Sequence, residues 1–138
     1  MSHSVTFRKS NKPGKKWAAE FAPQRDMGWN TKIVHFGSSE HEDYTIHKDK
    51  ERRNRYWSRH AKDLFNHNSR GSDGFRLSDA RVDVRTPGYL SFFVLWGKST
   101  NRKKCEGDFR ARYDAYMKDP HKGFRLTIHG RYPFNVSR

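Results

Sequence analysis

The chain has 138 residues, enough for one domain, and 29 Lys and Arg against 15 Asp and Glu give it a formal net charge of +14. Hydrophobic residues make up only 33% but aromatic residues reach 14%, which excludes a fully disordered chain and calls for a small core built from rings. One cysteine, Cys105, excludes an intramolecular disulfide; no apolar run is long enough to span a membrane, and Met1–Arg8 lacks the apolar segment of a signal peptide.

Charge is unevenly placed along the chain. Residues 1–16 carry Arg8, Lys9, Lys12, Lys15 and Lys16 and no acid, whereas residues 17–47 are net acidic through Glu20, Asp26, Glu40, Glu42 and Asp43. Trp17, Ala19 and Phe21 alternate onto one face and predict a short strand. Thr31 to Phe36, rich in β-branched residues, predicts a second, and Pro23, Gly28 and Asn30 between them mark a hairpin with a long loop. Lys48 to about Phe65 has helical periodicity, with Asp49 as a cap, Asp49/Arg53 and Glu51/Arg55 as pairs one turn apart, and Trp57, Ala61, Leu64 and Phe65 as the apolar stripe, Tyr56 at its edge.

Asn66 to Gly74 reads as a loop rich in Asn, Ser and Gly. Tyr89 to Trp96 is the most apolar run, and Thr86-Pro87-Gly88 before it suits a helix start, although periodicity alone leaves a buried strand open. Ser99 or Thr100 then starts a second basic helix that runs to about Met117, with Cys105, Phe109, Tyr113, Tyr116 and Met117 on its apolar side, before Pro120. In the acid-free tail, residues 125–129 suit a strand and residues 131–134 an extended arm.

The fold expected is α+β: a small single domain with an N-terminal β-hairpin packed on two to three helices and basic extended termini. Its parts are a basic arm over residues 1–13, a core over 14–117 and a basic extension over 118–138.

Three constellations could carry function. Arg52, Arg55, Arg59 and Lys62 share one helix face, and Arg102, Lys103 and Arg110 another; with Arg125 and Arg131 they are the candidates for contact with phosphate, or with carboxylates of a protein neighbour. Tyr132 and Phe134 on the tail are candidate anchors for a partner's pockets. His35, His41, His47 and His60 lie near Glu40, Glu42 and Asp43, but the spacing matches no metal motif, so hydrogen-bonded histidines are expected and no metal. Cys105 sits among Arg102, Lys103 and Lys104, yet it falls on the apolar stripe and reads as a small buried hydrophobe. With no nucleophile, phosphate-loop or paired-carboxylate pattern, neither catalysis nor a cofactor is expected.

Two stretches carry a family resemblance. Gly14–Phe21, then Val34-His35-Phe36-Gly37, Asp43-Tyr44-Thr45-Ile46-His47-Lys48-Asp49, Glu51-Arg52-Arg53-Asn54-Arg55-Tyr56 and Arg59-His60 form the first; Thr86–Ser91 with Leu95-Trp96-Gly97-Lys98-Ser99 forms the second. Together they resemble the small uncharacterised basic proteins encoded by giant and other large DNA viruses. The departures are the loop Pro23 to Asn30, an insert around Ser69 to Val84, and the tail after Met117. The resemblance implies a virion context, inside a capsid assembled in the host cytoplasm or nucleus, and no catalytic residue. It makes a minor capsid or cement protein on the inner side of the shell the first expectation, with the major and other minor capsid proteins as partners. Non-specific binding of the viral genome is the alternative; a small-molecule substrate is not expected, and a membrane contact is not indicated.

Overall fold

The computed structural model describes residues 4–64, 66–71, 74–78, 82–120, 125–129 and 132–137, with side chains over 4–60 and 82–120. The expected hairpin is the middle and one edge of a three-stranded antiparallel sheet, β1 (Val5–Lys9), β2 (Lys15–Phe21) and β3 (Lys32–Ser38), in the order β1-β2-β3. Residues 5–9 are therefore no free arm. Val5 pairs with Phe21 and Phe7 with Ala19, and Val5 is buried, so the apolar alternation of this segment is used against the core. In the β2–β3 register Trp17 faces Phe36 and Ala19 faces Val34, which puts the rings and small residues of three strands on one side.

That side packs on α4 (Arg102–Lys118). The five apolar positions expected on this helix are all buried, and Phe109 and Tyr113 meet the sheet edge-on, with Phe7–Phe109 and Phe21–Tyr113 centroids 5.9 and 5.1 Å apart. Each such pair adds about 0.5–1.5 kcal/mol beyond the area it buries. Asn101, rather than Ser99 or Thr100, caps α4, its side chain accepting from the Lys104 amide at 3.2 Å. Gly107 stands on the open side of the helix, where nothing would meet a Cβ.

The run from Tyr89 is helical and not a strand. Thr86 accepts from the Tyr89 amide, Pro87 opens α3 (Pro87–Leu90), and a wide π turn over Ser91–Leu95 closes with the Trp96 amide donating to the Ser91 carbonyl at 3.0 Å. Tyr89, Leu90, Phe92, Val94 and Leu95 fill the centre of the core. Gly97 follows because nothing larger fits: a Cβ there would lie 2.3 Å from the Phe93 carbonyl oxygen and 2.9 Å from Cys105 Sγ.

The helix expected from Lys48 to about Phe65 is α2 (Lys50–Leu64), and a separate one-turn helix precedes it. α1 (Tyr44–His47) is capped by Asp43 and ends at Lys48, whose φ of 59° is left-handed and breaks the chain before α2 (Lys50–Leu64). Asn66 to Gly74 is not a loop. It contains β4 (Asn66–Gly71) and the start of β5 (Gly74–Ser78), which join β6 (Arg125–His129) and β7 (Tyr132–Ser137) in an antiparallel sheet ordered β4-β5-β6-β7. The strand expected over 125–129 is β6, and of the arm expected over 131–134 the described residues 132–134 belong to the strand β7. Phe75 pairs with Ile128, so the segment around Gly74–Ser78 and the tail make one sheet together. The architecture is α+β: two antiparallel sheets, with α1 and α2 between them in sequence and α3, the π turn and α4 between β5 and β6. Among the described residues no helix is long and apolar enough to cross a membrane.

Candidate polyanion site

Two caps fix the direction of α2. His47 Nδ1 accepts from the Asp49 amide at 2.9 Å, and Asp49 Oδ1 accepts from the amides of Glu51 and Arg52 at 3.0 and 3.3 Å, as expected of a capping aspartate. The helix then presents two different faces. Inward, Arg53 is 5% exposed; its guanidinium lies 4.8 Å from the Tyr44 ring and 4.4 Å from the Trp57 ring and donates to Asn54 Oδ1 and the Lys98 carbonyl. The expected Asp49/Arg53 ion pair is thus replaced by a ring cage. Trp57 Nε1 donates to the Trp96 carbonyl beside it. Outward stand Arg52, Arg55 and Arg59, all exposed. Arg55 pairs with Glu51 at 3.6 Å, whereas Arg52 and Arg59 have no ion-pair partner among the described residues.

Arg52 and Arg59 border a cleft of about 370 Å³ between α2, the end of β3 and the π turn. Four rings form a column at its side. His47 lies 5.1 Å from Trp96, Trp96 stacks on Tyr56 at 4.2 Å with planes 1° apart, and Tyr56 lies 4.2 Å from His60. Burial pushes the Tyr56 phenol up to about 12, so it stays protonated at neutral pH. Burial, and then the charge of Arg52, lower the His47 pKa and favour the neutral imidazole. On the opposite wall Lys16 Nζ donates to Asp43 Oδ2 at 2.8 Å, and that carboxylate also caps α1. Gly37, with φ of 83°, forms part of the floor; a Cβ there would come within 2.6 Å of Leu95 Cδ1.

The cleft holds two carboxylates, but Lys16 neutralises Asp43, leaving exposed Glu42 against the guanidinium groups of Arg52 and Arg59. The excess is positive and sits in a concave surface, where charge focuses an anion better than on a convex one.

Other sequence candidates have different fates. Arg102 is half-buried, donates to Glu106 at 2.9 Å and lies 3.8 Å over the Trp17 ring; it braces the domain instead of facing a partner. Arg110 likewise donates to the Val5 carbonyl at 3.1 Å and covers Phe7, pinning β1. Lys103 is exposed on α4. Lys62, Arg125, Tyr132 and Phe134 lie on described backbone but their side chains fall outside the described residues, as does Arg131 altogether.

The histidines do not converge as a group. His35 shares a hydrogen bond with Ser10 Oγ at 2.7 Å, His41 and His60 border the cleft, and His47 is in the ring column. Among the described residues no three His, Cys, Asp or Glu side chains could hold a metal ion. Burial raises the Cys105 pKa, and its thiol donates to the Ser99 carbonyl at 3.2 Å, which is the behaviour of a packed small side chain. The ring column and the Lys16–Asp43 bridge were not legible in the sequence. Only Tyr56 and His60, four apart on α2, gave a signal that their rings would meet.

Residues 5–60 match the model of a Family of unknown function (DUF5754). The matched segment holds β1 to β3, α1 and the arginine face of α2, and stops short of Trp96 and the π turn that complete the cleft. No curated protein and no solved structure matches the chain.

Proposed function

We propose that the chain binds nucleic acid through its phosphates, without sequence readout, using the exposed arginine face of α2. The observation that carries this is the pair Arg52 and Arg59, exposed, two helical turns apart and without acidic partners among the described residues, with Arg55 between them. The net charge of +14 supports it, since a polyanion is drawn to such a surface over several ångströms. Three phosphate contacts give a salt slope of about −2.7, and about a 40-fold loss of duplex affinity between 50 and 200 mM salt. Binding of a labelled duplex, followed by anisotropy across that range, tests it. Arg52→Ala, Arg55→Ala and Arg59→Ala should each lower the slope by about 0.9. A flat salt response in the parent chain would sink the proposal.

The role on the inner side of a capsid rests on the sequence resemblance and on the tail. The described side chains favour the phosphate reading over it.

A further inference from the structure

We propose that the cleft beside α2 takes one nucleotide of a single strand, so that the protein prefers single-stranded to duplex nucleic acid. This deepens the nucleic-acid reading and rests on it. Arg52 and Arg59, besides standing on the exposed face of α2, flank a cavity of about 370 Å³, a size that suits a small flat molecule and its sugar. The cavity is bordered by the rings of Tyr56, Trp96 and His60, while Lys16 and Asp43 neutralise each other on the far wall. A base entering it meets ring edges, a favoured aromatic geometry, while its phosphate stays between the two guanidinium groups at the mouth. In a duplex the bases are paired and stacked inside, so only the phosphates reach the arginines and the cavity stays unused. Base contacts of this kind do not depend on sequence, because every base has a ring to offer.

The test compares a labelled 12-nucleotide strand with its duplex at one salt concentration. The strand should bind roughly two- to tenfold tighter, the return from a single edge-on ring contact. Ser38→Leu, and Ser38→Leu with His41→Leu, add aliphatic bulk at the exposed rim of the cleft and remove no arginine. They should bring the strand-to-duplex ratio towards one, with melting temperatures confirming the fold. Equal or tighter duplex binding, or a ratio that both variants leave unchanged, overturns the cleft while leaving phosphate binding intact. Binding to neither form overturns both.

Discussion

Tyr113 is 1% exposed, its ring packs against Phe21 and Phe109, and its hydroxyl is buried with no hydrogen-bond partner among the described residues. Removing that oxygen by Tyr113→Phe keeps the ring contacts and deletes a group that lost its water on folding. An unsatisfied buried hydroxyl costs about 1–3 kcal/mol, so the variant should be as stable as the parent at pH 7 or up to about 1 kcal/mol more stable. The same burial pushes the phenol from 10.0 up to about 12. A folded-state value above the ordinary one gives stability that is complete below pH 10 and is lost as pH rises towards 12. The upper bound is about 2.7 kcal/mol, and solvent screening brings it nearer about 1–2 kcal/mol. Urea unfolding at pH 7, 9, 10 and 11 should therefore show a steeper alkaline decline for the parent than for Tyr113→Phe. A variant that loses more than about 1 kcal/mol at pH 7 would show that the hydroxyl is hydrogen-bonded and refute the reasoning.

Gly97→Ala should cost about 3 kcal/mol or more in urea unfolding, because its Cβ would press on the Phe93 carbonyl, which is backbone and cannot turn aside; an unchanged midpoint would show that the π turn yields. Asp43→Ala removes both the α1 cap and the partner of Lys16, for an expected loss of roughly 3 kcal/mol by thermal or urea unfolding, whereas Glu42→Ala on the exposed rim should cost under about 0.5 kcal/mol. Arg110→Ala should weaken the structure by about 1–2 kcal/mol and speed amide exchange in β1 while the α4 amides stay protected.

Local pattern was enough wherever one face of an element had to be apolar. The five buried positions of α4, the Trp17–Ala19–Phe21 face of β2 and the Asp49 cap follow from spacing and side-chain type, because burial and capping act within a few residues. The short helix Tyr44–His47 was missed because a single turn carries too few residues for a periodic pattern, and the lysine in left-handed backbone that ends it gives no composition signal of the kind glycine gives. Asn66–Gly74 reads as a loop and 131–134 as an arm, and the strand expected over 125–129 has no predicted partner, because pairing such as that of Phe75 with Ile128 joins segments with no local trace of each other.

The same division governs the site. By itself the sequence determined how much positive charge the protein carries and which arginines share a helix face, since both depend only on residue type and on 3.6 residues per turn. Only the tertiary structure decided which of those charges face outward. Arg53 went under Tyr44 and Trp57 and to the carbonyl of Lys98, Arg102 over Trp17, and exposed Arg110 to the carbonyl of Val5, engaged by rings and backbone oxygens that include distant parts of the chain. A guanidinium is planar and weakly hydrated enough to lie on an aromatic ring, so in a protein whose core is built from rings the same residue type serves as mortar and as bait. Arg52 and Arg59 remain exposed at the border of a cleft that Trp96, some forty residues away and stacked on Tyr56, helps to line.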